Sequence, residues 1–76
     1  VFAVYPNPFE NTINIKKTAD ASQVFIMMNA LGQEVMKVKL NSSDTKLDVS
    51  ELNSGIYFYT VLENGTKINS GRMLKK

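Results

Sequence analysis

Apolar and polar side chains alternate along this chain with a period of two residues. Thr12-Ile13-Asn14-Ile15-Lys16 and Met36-Lys37-Val38-Lys39-Leu40 both follow that rule. Successive side chains of a strand point to opposite faces, so Ile13, Ile15, Met36, Val38 and Leu40 are assigned to buried faces. Lys46-Leu47-Asp48-Val49 repeats the pattern briefly. No window holds an apolar stripe at helical spacing, and the β-branched and aromatic residues between positions 56 and 61 suit a pleated surface.

Turn chemistry cuts the alternation into short pieces. Glu63-Asn64-Gly65-Thr66 is the strongest hairpin signal, because Asn and Gly accept the positive φ angles of a type I′ turn. Ala30-Leu31-Gly32-Gln33 is expected to turn as well, with Gly32 left-handed, while Asn41 to Asp44 and Ser50 to Gly55 read as longer surface connections. The expected strands cover residues 2–5, 12–16, 22–29, 34–40, 45–49, 56–62 and 66–75. Seven short strands separated by turns predict an all-β fold: a small antiparallel β-sandwich of immunoglobulin-like arrangement, in one domain spanning residues 1–76.

Two strands are apolar on both faces. Val24-Phe25-Ile26-Met27-Met28 and Ile56-Tyr57-Phe58-Tyr59-Thr60-Val61-Leu62 are the third and sixth in order, which are sheet neighbours in an immunoglobulin-like sandwich. If Val24, Ile26, Met28, Tyr57, Tyr59 and Val61 point inward, then Phe25, Met27, Ile56 and Phe58 form an exposed apolar patch, a candidate docking or self-association surface. Cover by loops or by a preceding domain is the structural alternative.

Composition removes most catalytic readings. With 76 residues the chain is near the lower size at which a domain folds without staples, and it has no cysteine and no histidine. Thiolate chemistry, disulfides, and the commonest general base and metal ligand are therefore missing. No catalytic residue, cofactor or metal site is assigned. Asp44, Asp48 and Glu51 are close in sequence but lack the ligand spacing of a calcium loop. Asn41-Ser42-Ser43 and Asn64-Gly65-Thr66 match the glycosylation pattern and are read as turn chemistry. No apolar run approaches the ~20 residues of a membrane-spanning helix, and an export signal, if the parent protein has one, is expected upstream.

The net charge of +2 is unevenly placed: Lys67, Arg72, Lys75 and Lys76 fall near the end, with no acidic residue after Glu63. A solvated strand that discourages edge pairing explains this simply; recognition is the sharper reading. Without interleaved exposed aromatics, the strip is not read as a nucleic-acid surface.

Four segments keep order and spacing across most of the chain: Tyr5-Pro6-Asn7-Pro8-Phe9, Leu31-Gly32, the Ser-x-Leu-x-x-Gly-x-Tyr stretch from Ser50 through Leu52 and Gly55 to Tyr57, and the basic final strand. Together they resemble the type A C-terminal sorting domain of cargo proteins of the type IX secretion system of Gram-negative bacteria. Pro6 and Pro8 form a stiff bend, Leu52 is expected to plug the end of the sandwich, Gly55 to allow a sharp re-entry, and Tyr57 to fill the core with its hydroxyl bonded. The resemblance implies a non-enzymatic address label. It folds in the periplasm, is recognised by an outer-membrane translocon, and is removed by a sortase-like peptidase cutting before Val1, so that its upstream cargo reaches the cell surface or the medium. On that reading Arg72, Met73, Leu74, Lys75 and Lys76 are the candidate recognition residues, with Met73 and Leu74 as anchors, and the domain is a monomer or weak dimer. The competing reading is a stand-alone adhesion or carbohydrate-binding sandwich, against which the absence of Trp and of a convincing metal loop counts.

Overall fold

The structure, a computed structural model, describes residues 2–17 and 22–76. Val1 and residues 18–21 lie outside it, so the first residue of the expected domain is not described. Among the described residues there are seven strands: β1 Phe2–Tyr5, β2 Thr12–Lys17, β3 Gln23–Asn29, β4 Glu34–Leu40, β5 Asp44–Asp48, β6 Gly55–Glu63 and β7 Thr66–Lys75. Each expected strand is present to within a residue at either end, because the alternating segments and the turns between them are encoded locally.

All the strand pairs are antiparallel, and they form two sheets. One has the order β1-β2-β5 and the other β4-β3-β6-β7. The chain crosses between sheets after β2, β4 and β5, giving the immunoglobulin-like sandwich with its fourth strand added to the sheet of the last two. The core lies between the sheets. Ile13, Ile15 and Leu47 enter it from one side, Phe25, Met27, Leu40, Tyr57, Val61 and Met73 from the other, and Phe9 and Val49 from connections at one end.

The inward assignment of Tyr57, Tyr59 and Val61 holds, but that of the third strand is overturned. Phe25 and Met27 are fully buried, and Val24, Ile26 and Met28 take the outer face. The register is the reason: Phe25 stands opposite Val61 and Met27 opposite Tyr59, so all four side chains share a face, and a parity error of one residue reverses every assignment on a strand. The outer apolar band consists of Val24, Ile26 and Met28 with Ile56, Phe58 and Leu62. Phe25 and Met27 therefore cannot belong to an exposed patch; Ile56 and Phe58 remain on it, at 44% and 41% exposure.

Cross-strand packing also explains Gly71. It lies opposite Tyr59, whose ring stacks on Phe25 at a centroid distance of 5.5 Å. A Cβ at position 71 would come within 2.7 Å of that ring. The missing side chain makes room for the aromatic pair.

Candidate functional site

The strand registers bring the four sequence motifs to one end of the sandwich. Connections 6–11, 30–33 and 49–54 are there, beside the start of β6 and the end of β7, where Asn29 opposes Tyr57 and Gly55 opposes Lys75. The 41–43 connection and the Asn64-Gly65 turn are at the other end, the latter with φ of 52° and 79° as a type I′ hairpin requires.

The Pro-Asn-Pro segment runs along β7, the outer strand of its sheet. Its Tyr5–Pro6 and Asn7–Pro8 peptide bonds are both cis. Phe9 forms a parallel bridge with Lys75: its N–H donates to the Leu74 carbonyl at 2.8 Å, and the Lys76 N–H donates to its carbonyl at 2.9 Å. Two residues earlier, a parallel ladder would need a donor for the Arg72 carbonyl and an acceptor for the Leu74 N–H. The Asn7 side chain supplies both: Nδ2 donates to the Arg72 carbonyl at 3.2 Å, and Oδ1 accepts from the Leu74 N–H at 3.1 Å. The carboxamide thus stands in for a peptide group and extends the ladder. Aspartate would lose the donor.

Phe9 fastens the same segment from inside. It is fully buried, and its ring lies 6.2 Å from that of Tyr57. Tyr57 opposes Met73 on β7, and its hydroxyl donates to the Asn53 carbonyl at 2.7 Å, so its polar end is satisfied four residues upstream, as in the tyrosine corner of immunoglobulin-like domains. Gly55 has φ of 146° with nothing near the position a Cβ would take; backbone conformation, not space, demands glycine there. Leu52 packs partly buried against the core, at the edge where the expected plug was placed.

Gly32 has φ of 85°, and the turn around it is held by Asn29, whose Oδ1 accepts from the N–H groups of Leu31 and Gln33 and whose Nδ2 donates to Gln33 Oε1. Leu31 stands out into solvent at 84% exposure. From the sequence alone no role is assigned to Asn29 or Asn53, and Phe9 is named only as the end of the Pro-Asn-Pro segment, since each acts through a fold-dependent partner or a turn role that several residue types could fill.

The five tail residues divide by strand parity. Met73 and Lys75 point inward and are buried; Arg72, Leu74 and Lys76 point outward. Lys75 Nζ donates to the Lys76 carbonyl at 3.2 Å, so this residue does not join an exposed basic strip. Lys76 lies 3.8 Å from Glu10, with both side chains mostly exposed, a pair of little energetic weight. Arg72 has no ion-pair partner among the described residues. Beside it, Asn7, Ile56, Met73 and Leu74 line a shallow depression of about 280 Å³.

Among the described residues the acidic side chains form no comparable site. Asp48 Oδ1 accepts from the Ser50 N–H at 3.0 Å and from Ser50 Oγ at 2.7 Å, and these bonds, the backbone one first, hold its carboxyl below the usual aspartate range. Among the described residues no group of three or more Asp, Glu, His or Cys side chains could hold a metal ion.

No individual curated protein matches the chain. The family model described as the secretion system C-terminal sorting domain matches residues 3–75, a span that contains both the Pro-Asn-Pro bend and the strand it seals. This chain belongs to that family: it is a C-terminal sorting signal for type IX secretion, of a kind carried by secreted or cell-surface cargo.

Proposed function

We propose that this single folded module is read by the outer-membrane translocon of the type IX system while its cargo is in the periplasm, and that a sortase-like peptidase then removes it by cutting upstream of Val1. It has no hydrolytic activity of its own and acts as a monomer or weak dimer, with the cargo domain preceding it. The surface read is the outer side of the last strand, where Arg72, Leu74 and Lys76 stand exposed above Asn7 and Ile56.

One observation carries this reading. Pro6-Asn7-Pro8, among the most recognisable segments of the resemblance, is bonded along the strand that carries the basic end, through the Asn7 carboxamide and the Phe9 backbone. A bend far from the tail in sequence therefore fixes the shape of the tail. Such a cover also protects the edge from pairing with another strand, so the export test below, not the fastening alone, separates recognition from protection.

The test is export of a periplasmic reporter carrying this domain at its C-terminus in a type IX-competent host. The intact fusion is expected outside the cell. Arg72→Glu with Lys76→Glu is expected to leave the reporter in the periplasm while the domain melts normally, because exposed charge changes move stability by about 0.5 kcal/mol or less. Lys75 is left unchanged, since a glutamate there would bury a carboxylate and confuse recognition with folding. Unchanged export of the charge-reversed domain would remove the recognition role of the strand's outer side. Retention of the intact fusion, alongside export by an authenticated sorting domain, would count against the domain's acting alone as the address.

A further inference from the structure

The depression beside Arg72 has a chemistry that narrows what can dock on it. Its apolar part is the cross-strand pair Ile56 and Leu74, both exposed by more than two fifths; Arg72 and Asn7 supply its polar groups, and Met73, whose side chain turns into the core, completes the lining. Phe58, directly opposite Arg72 on β6, extends the apolar surface. Among the described residues no acidic side chain lines the depression, and the guanidinium has no carboxylate partner. At about 280 Å³ it is smaller than most small-molecule pockets, which run from about 300 to 1,000 Å³, and suits one large side chain.

Backbone pairing is closed at this place. The Arg72 carbonyl, the Leu74 N–H and carbonyl, and the Lys76 N–H all face away from β6, and all are taken by Asn7 or Phe9. An incoming strand has no free group to pair with there, so a partner must engage side chains. Charge selects among partners. The outer face is bordered by Arg72 and Lys67 on β7 and by Lys37 and Lys39 on β4, opposite Phe58, Leu62, Ile26 and Val24 respectively. A second copy laid on this face would bring up four cations against a single carboxylate, Glu34 opposite Met28, so like charges outnumber opposite ones. An anionic partner meets Arg72, which has no ion-pair partner among the described residues, with a charge-assisted, two-pronged hydrogen bond.

We infer that the depression formed by Asn7, Ile56, Arg72, Met73 and Leu74 is a side-chain socket for a polypeptide partner that presents a carboxylate next to a large apolar side chain. The apolar group seats on the paired side chains of Ile56 and Leu74, and the carboxylate pairs with Arg72. This rests on the reading of the last strand as the surface met by the secretion machinery, and supplies the chemistry of the contact.

The probe is the capped dipeptide acetyl-Asp-Phe-amide, titrated into the isotope-labelled 76-residue chain and followed by amide chemical shifts. Saturable shifts are expected at Ile56, Arg72, Leu74 and the Asn7 side-chain amide. Acetyl-Asn-Phe-amide is expected to bind about tenfold more weakly, and Arg72→Gln, an exposed change that spares the fold, to erase that difference. Acetyl-Asp-Ala-amide tests the apolar half and is expected to give no saturable shift.

Equal binding of the Asp and Asn peptides, or no saturable shift up to the solubility limit, overturns the inference. So does Arg72-dependent and Phe58-dependent sedimentation with phosphatidylcholine vesicles containing phosphatidylglycerol in the absence of peptide binding, which would make the face a lipid-docking surface. Failure of the titration while Arg72→Glu with Lys76→Glu still blocks export sinks the socket and spares the sorting surface. A positive titration with unchanged export does the reverse.

Discussion

The two ends of this sandwich are closed by different means. At the end that carries the family motifs, Phe9 and Tyr57 are buried against each other and Asn7 bonds to residues 65 and 67 positions away. At the opposite end the closures among the described residues are the Asn64-Gly65 hairpin and polar bonds: Lys17 Nζ donates to the Leu40 carbonyl at 3.0 Å and Gln23 Nε2 to Glu63 Oε1 at 3.0 Å, while Gln23 Oε1 is buried with no hydrogen bond among the described residues. Apart from the local hairpin, the turn end is joined across 23 and 40 positions of sequence. The motif end is joined across 65 and 67, and the residues that carry the family resemblance are largely the fasteners that join it.

The largest expected effects test that contrast directly. Phe9→Ala and Tyr57→Ala should each cost about 3–5 kcal/mol in urea denaturation, the range for truncating a buried aromatic. Gly65→Ala at the other end forces a left-handed residue to carry a Cβ and should cost about 1–2 kcal/mol. Tyr57→Phe keeps the ring and removes only the bond to the Asn53 carbonyl, about 1 kcal/mol. A Gly65→Ala cost equal to that of Phe9→Ala would show that the motif end is not the more heavily fastened.

A smaller effect sharpens the role of the bend. Asn7→Asp keeps the acceptor for the Leu74 N–H and removes the donor for the Arg72 carbonyl. It should cost about 1–2 kcal/mol and speed hydrogen exchange of the Leu74 and Lys76 amides, while those of β6 are unaffected. Ser22→Ala, which removes the exposed 3.3 Å contact with Asn41 at the opposite end, should stay within about 0.5 kcal/mol. If exchange at Leu74 is unchanged even in Asn7→Ala, which removes its acceptor as well, the carboxamide is not a working rung of the ladder.

These contrasts also explain what could be read from the sequence. Strand limits and turn types were legible because alternation and the Asn-Gly and Leu-Gly signals are local. The neighbouring of β3 and β6 followed from the sandwich order. The facing of β3 did not, since the strand is apolar at every position from Val24 to Met28 and its polar ends, Gln23 and Asn29, share the parity of Phe25 and Met27. Polar ends on that parity suggest solvent. Both are instead absorbed, Gln23 by bonding Glu63 from a buried position and Asn29 by holding the turn at Gly32. Lys75 misleads in the same way: a cation in a basic run reads as exposed, yet parity with Met73 puts it inside, where a long aliphatic stem packs and its amine finds a carbonyl. Motif positions were therefore recognisable from sequence, whereas the bond between bend and tail required the fold.

The smallest expected effect concerns acid, and it again separates the ends. Asp48 stands where β5 runs into the 49–54 connection, and its carboxylate accepts from the backbone and then the side chain of Ser50. Because its pKa is lowered by folding, its contribution to stability is complete above the pKa of the unfolded chain and is lost as pH falls through the folded value. Asp48→Asn should accordingly flatten part of the acid limb of a stability-versus-pH curve and leave the neutral region nearly unchanged. Ser50→Ala removes the hydroxyl but keeps the N–H, the larger of the two causes, so most of the acid dependence should survive. The side chain is fully exposed and solvent screens it, which is why this is the weakest of the expected changes. Near-complete loss of the acid dependence in Ser50→Ala would make the hydroxyl, not the turn backbone, the group that holds Asp48 ionised. If Asp48→Asn leaves the acid limb as steep as before, the acid sensitivity belongs elsewhere, and this connection is held by its uncharged contacts: buried Val49, whose N–H donates to the Asn11 carbonyl, with Leu52 and the Tyr57 hydroxyl.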